Sequence, residues 1–181
     1  VDRRAKSRKR KGNSTGMEQL EDKDTEEEEK MGEGRIVTLI GSKLAKEGEE
    51  FIFLGPSKKC EECRLKNACM NLELDRRYRI EKVRNEIKHE CFIHEDGVAV
   101  VEVRESSIPV AIDATYAFKS SKFAFEPPNC KASDCGLFDA CHPAGLKEGD
   151  RCTILEVMGD APSDCKEGRV LKMVTLRRGG K

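Results

Sequence analysis

Residues 36–53 read IVTLIGSKLAKEGEEFIF, and residues 108–125 read IPVAIDATYAFKSSKFAF. Laid on one another without a gap, they coincide at Ile36/Ile108, Ile40/Ile112, Ala45/Ala117, Phe51/Phe123 and Phe53/Phe125, five identities where chance gives about one. Pro56 and Pro127 then follow the two Phe pairs, and a cysteine cluster follows each proline: Cys60, Cys63 and Cys69 spaced C-x2-C-x5-C, and Cys130, Cys135 and Cys141 spaced C-x4-C-x5-C. Beyond the clusters the register returns. LELDRRYRIEKV from Leu72 lies on LKEGDRCTILEV from Leu146, pairing Leu72 with Leu146, Arg77 with Arg151, Ile80 with Ile154 and Val83 with Val157. Continued without a gap, this register sets Cys91 opposite Cys165, while Cys152 falls opposite Tyr78. The chain is an internal duplication.

Each half offers the same series of strands. The first is apolar (Ile36 to Ile40, Ile108 to Ile112), the second surrounds the Phe pair, and two more follow the cysteine loop. Those are Arg77 to Arg84 and Gly97 to Val103 in the first half, and Arg151 to Met158 and Arg169 to Leu176 in the second. β-Branched residues dominate these runs, and Gly and Pro punctuate them. The residues between Cys63 and Cys69 (RLKNA) and between Cys135 and Cys141 (GLFDA) each suit about one helical turn. The expected fold is mainly β, with α+β as the alternative: two small barrel-like modules, residues 35–104 and 105–178, related by a pseudo-two-fold and carrying short helical turns at the cysteine loops.

Composition says why such modules need staples. Of the 181 residues, 37% are hydrophobic and 38% charged, which leaves little apolar material for a large core, and nine cysteines supply another means of support. No leader-like segment and no run near the roughly 18 apolar residues of a membrane span is present, so the reading expects a cytoplasmic protein without membrane contact. In a reducing compartment spaced cysteines favour metal over disulfides. Residues 1–34 read differently. RRAKSRKRK at 3–11 and EQLEDKDTEEEE at 18–29 have almost no apolar side chains, and the whole is expected to be a disordered charged tail, with Met17 and Met31 as further candidate starts.

Three close cysteines and one remote one in each half make two candidate metal sites: Cys60, Cys63, Cys69 and Cys91, and Cys130, Cys135, Cys141 and Cys165. Structural zinc commonly uses two C-x2-C knuckles. A three-plus-one arrangement suits a cube with separated corners, so two 4Fe-4S clusters are the expected cofactors and two zinc ions the alternative. Cys152, inside a strand, reads as a small hydrophobe. His89, His94 and His142 stand near the clusters and are reserve ligands, as is Cys152. None of the three histidines is duplicated, their counterparts being Ser163, Gly168 and Met70. Arg64, Lys66, Lys58, Lys59 and Lys131 could offset a cluster's negative charge.

The ordering IVTLIG, LAKEGEEFIFLGP, C-x2-CR-x4-C, RRYRI, HECFIHEDGVAVVEV, FEPPNC and C-x5-CHPAGLKEGD resembles an archaeal family of uncharacterised proteins over about residues 35 to 176. The resemblance implies two cysteine clusters of iron–sulfur redox type and no activity. Cys60, Cys63, Cys69, Cys91, Cys130, Cys135 and Cys141 match its motif cysteines, and His89, His94 and His142 fall within its motifs.

Motifs for other chemistry are missing. GSKLAKEG lacks the closing Lys-Ser/Thr of a phosphate loop, and neither G-x-S-x-G nor H-E-x-x-H occurs. In CEEC, two carboxylates between the sulfurs would raise rather than lower thiol pKa values, against a dithiol oxidoreductase. The expected function is electron transfer or redox sensing with a redox or protein partner, without a catalytic residue. The alternative is a zinc-stapled module binding a protein or nucleic acid, for which only Phe51, Phe53, Phe123, Phe125, Tyr78 and Tyr116 could stack on bases.

Overall fold

A computed structural model describes residues 34–179. The charged tail expected over residues 1–34 lies, Gly34 apart, outside the described residues. From Arg35 onward the chain forms a compact unit of its own. It is mainly β, built of two curled half-barrel sheets with short helices only. The first half contributes β1 (Ile36–Gly41), β2 (Glu50–Phe53), β3 (Arg76–His89) and β4 (Val98–Glu105), ordered β1-β4-β3-β2. The second contributes β5 (Ile108–Asp113), β6 (Lys122–Ala124), β7 (Arg151–Asp160) and β8 (Leu171–Arg178), ordered β5-β8-β7-β6. All pairings are antiparallel.

The duplication extends to the ladder itself. Ile36 faces Val103 and Ile108 faces Leu176; Phe51 faces Tyr78 and Phe123 faces Cys152. Even the first irregularity recurs, between Ile80 and Lys82 in β3 and between Ile154 and Glu156 in β7. A bulge adds one residue and resets the period-2 alternation. Ile80 and Ile154 point into the two cores, and the bulge lets Val83 and Val157 join them while Lys82 and Glu156 stay outside. Each core closes around one aromatic pair: Phe51 and Phe53 against Tyr78, Val101 and Val103, and Phe123 and Phe125 against Cys152, Val174 and Leu176.

The strand limits depart furthest from the sequence reading in β3 and β8. β3 runs on to His89 because Lys88 and His89 still pair with Ala99 and Val98 after a second register shift, although RNEIKH has no alternation to announce it. β8 starts at Leu171, opposite Asp113, rather than at Arg169, and continues to Arg178, which pairs with Cys152. The expected helical turns are present as Lys66–Cys69 and Phe138–Cys141. Two 3-10 turns join them, Lys58–Cys60, where the Lys59 amide donates to Ser57 Oγ, and Ala114–Tyr116, where the Thr115 amide donates to Asp113 Oδ1. No helix among the described residues is long and apolar enough to cross a membrane.

The halves meet through charge. Arg76 donates to both Asp150 carboxylate oxygens and to the Gly145 carbonyl, and Arg178 donates to Glu105 at 2.7 Å and to Glu73 at 2.8 Å. Equivalent ladder positions make the meaning clear. Arg76 and Asp150 occupy the same place in the two halves, as do Glu105, opposite Tyr78, and Arg178, opposite Cys152. Positions near a two-fold axis meet their own copies. Two identical modules would set Arg on Arg there, whereas a fused duplicate can hold opposite charges at one paired position.

Candidate metal centres

Cys60 closes the 3-10 turn, Cys63 follows one turn later with its amide bonded to the Cys60 carbonyl, and Cys69 ends the helix Lys66–Cys69. This loop is fastened to β1 by polar groups. Thr38, almost fully buried, donates through its hydroxyl to the Ala68 carbonyl at 3.1 Å, and Asn71 Nδ2 donates to the Val37 carbonyl at 2.7 Å. The loop after β3 brings Cys91 to the same place. Cys60, Cys63, Cys69 and Cys91 line one cavity of about 230 Å³, walled by apolar residues that include Leu39, Phe51, Phe53 and Val98.

The second half reaches the same arrangement by another route. Its loop is held by apolar packing: Leu137, buried, lies with Cys135 and Cys141 against Ala111 and Leu171. Cys130, Cys135, Cys141 and Cys165 line a recess of only about 10 Å³, roofed by Phe138, His142, Arg169 and Leu171. Cys165 is therefore gathered with its loop cysteines. Cys152 is not: it lies in the second core among Ile108, Val110 and Ile154.

The electrostatics follow this grouping. Burial, and then the neighbouring Cys63, Cys91 and Cys60, push the Cys69 thiol up to about 11. Burial and then Cys165, Cys135 and Cys130 likewise raise Cys141, with Arg169 pulling the other way. Cys135 is lowered instead, first by the Lys166 amide and then by the Leu137 amide, both donating to its sulfur. Cys152 is raised to about 11 by burial and then by Asp150. Crowded, raised thiols want either a proton or a cation, and a bound metal displaces the proton. All nine cysteines stand as free thiols.

Among the described residues, no group of three or more His, Cys, Asp or Glu side chains is set to grip one ion. The donor chemistry nevertheless fits a soft-metal group: four thiols to a cavity, amide donors on sulfur, and an apolar wall. The histidines divide. His142 turns both ring nitrogens to backbone carbonyls, Phe138 at 3.1 Å and Pro128 at 3.0 Å, and stacks on the Phe138 ring at 4.3 Å. His89 lies at the end of β3 on an outer cleft that Cys63, Cys91 and His94 line as well, together with Glu62, Arg64 and Glu90. His94 alone touches a thiol, Nδ1 lying 3.2 Å from Cys91 Sγ.

The sequence reading missed Lys166, Arg169 and Gly41. The first two flank Cys165, and their spacing from it is the only signal they leave; Gly41 becomes visible only once the fold sets it beside His94. Of the cations it did name, Arg64 borders the outer cleft and Lys66 the first cavity.

Comparison with known proteins adds the family. The model of an uncharacterised protein family, UPF0179, matches residues 36–176. The chain belongs to UPF0179. A UPF0179 protein of Methanosarcina barkeri is 46% identical over 140 residues, covering 77% of this chain and 94% of its own. One from Archaeoglobus fulgidus is 38% identical over 144 residues, covering 80% and 94%. No solved structure matches the chain. The UPF0179 match takes in all eight gathered cysteines and both sheets as far as residue 176 in β8, and leaves residues 1–35 and 177–181 outside it.

Proposed function

We propose that this UPF0179 protein holds two 4Fe-4S clusters, one on Cys60, Cys63, Cys69 and Cys91 and the other on Cys130, Cys135, Cys141 and Cys165, and serves electron transfer or redox sensing with a protein partner. The observation that carries the reading is the gathering of four thiols in each half, about a cavity in the first and a narrow recess in the second, with Cys152 left in the core. Such a cluster, when bound, supplies one-electron chemistry. The chain's own part is to hold and tune it. The Lys166 and Leu137 amides on Cys135, and the Ile93 amide on Cys91 at 3.5 Å, are the donors to sulfur that set a cluster's potential. Three close cysteines and one remote one in each half suit a cube, whose corners stand farther apart than the thiolates of tetrahedral zinc.

The test is anaerobic purification followed by a visible spectrum and iron, sulfide and zinc analysis. The reading expects a brown protein with about eight irons and eight acid-labile sulfides per chain, two four-iron cubes. A colourless protein with two zinc ions would overturn it and favour a zinc-stapled binding module.

A further inference from the structure

Gly41 ends β1 without the positive φ that usually explains a glycine. Space explains it instead. A Cβ on Gly41 would lie 2.4 Å from His94 Cδ2 and 3.1 Å from its Nε2, so the imidazole is seated directly on the bare backbone. The second half has neither partner: Asp113 stands at the position of Gly41, and Gly168 at that of His94. Glycine and histidine thus form one feature that only the first half carries. Seated there, His94 sets Nδ1 3.2 Å from Cys91 Sγ. A thiolate only accepts hydrogen bonds, so against a metal-bound Cys91 the proton must sit on Nδ1.

We infer that His94 is a positioning residue: its Nδ1–H donates to the Cys91 thiolate and raises the reduction potential of the first cluster alone. The inference rests on the cluster reading above. A donor drawing charge from sulfur stabilises the reduced, more negative state over the oxidised one. Each centre takes up one electron and no proton; in the experiment the electron comes from dithionite through viologen dyes.

The full chain and its His94→Ala, His94→Asn and Gly41→Ala variants, all keeping eight gathered thiols, would be titrated potentiometrically under paramagnetic resonance. Wild type should show two one-electron steps. In His94→Ala one step should fall, so that at a fixed potential its reduced-to-oxidised ratio drops about tenfold, equal to about 59 mV for one electron, while the other step holds. His94→Asn should recover part of that loss through its amide N–H. Gly41→Ala, which displaces the imidazole without removing it, should move the same step in the same direction, and it decides the matter if His94→Ala loses the first cluster. Unmoved steps in both His94→Ala and Gly41→Ala at full iron content would overturn the inference, as would equal movement of both steps. Loss of four irons in both His94→Ala and His94→Asn would overturn it in favour of His94 as a ligand. A wild type without iron and sulfide overturns the cluster reading first, and this inference with it.

Discussion

Cys165 and Cys152 are thirteen positions apart in sequence and chemically alike, yet the fold sets them in opposite surroundings. Cys165 sits in the loop after β7, gathered with the second-half cysteines. Cys152 sits on β7 with its thiol sealed in the core. Substitution should separate them cleanly. Cys165→Ser should halve bound iron, while Cys152→Ser should leave the metal count unchanged and cost about 1–3 kcal/mol in urea unfolding, the penalty of a hydroxyl in an apolar core. The reverse metal result would break the register on which the site assignment stands. The gathering of Cys165 with its loop cysteines was legible in the sequence because the duplication sets it opposite Cys91. The contact of His94 with Cys91 was not: sequence showed a histidine near a cysteine, and only the folded turn sets ring against sulfur.

At the scale of the element, the β3–β4 connection decides whether Cys91 arrives at all. The chain leaves β3 at His89, passes Cys91 and His94, and re-enters the sheet through Gly97, whose amide bonds the His94 carbonyl. Gly97 has φ of 73°, and a Cβ there would stand 2.4 Å from the His89 carbonyl oxygen, a backbone atom that cannot swing aside. Gly97→Ala should therefore cost about 1–3 kcal/mol of strain. The same variant should weaken metal retention at the first site only, read as faster release of half the iron to a chelator. Equal release from both sites would show that the turn does not position Cys91. The strand itself was only partly readable, because RNEIKH carries no alternation and is held in the sheet by its partner in β4.

For the whole molecule, the two halves are joined by the Arg76–Asp150 and Arg178–Glu105 pairs. Burial works to raise Asp150 and Glu73, but hydrogen bonds from Arg76 and the Lys147 amide to Asp150, and from Arg178 and Arg76 to Glu73, outweigh it, and both carboxyls are lowered from their ordinary values. Arg178 is raised, chiefly by its hydrogen bonds to Glu105. A carboxyl lowered in the folded state contributes stability above its unfolded pKa of about 4 and loses it as pH falls through the folded value. Urea midpoints measured from neutral pH into the acid range should drop less steeply for Asp150→Asn than for wild type; parallel curves would show that the pair carries no pH dependence. Arg76→Ala, which strands the half-enclosed Asp150, should cost about 3–5 kcal/mol. Exchanging the two charges in Arg76→Asp with Asp150→Arg should recover part of that loss, because the positions are equivalents across the pseudo-two-fold. A double variant no more stable than Arg76→Ala would mean the surroundings, such as the Gly145 carbonyl, have already made the two places different.

Sequence by itself determined the repeat, the strand series, the cysteine spacing and the place of Cys165 beside its loop cysteines, since ladder register and side-chain alternation are written locally and duplication writes them twice. Only the tertiary structure decided how the halves meet and how the sites differ. Arg76 and Asp150 lie seventy-four positions apart in sequence, and nothing local marks them as partners. The first cysteine loop is tied down by hydrogen bonds to β1 and opens onto a cavity, while the second is packed shut around Leu137. That asymmetry arises from contacts between elements distant in the chain, and such contacts exist only once the sheets have curled.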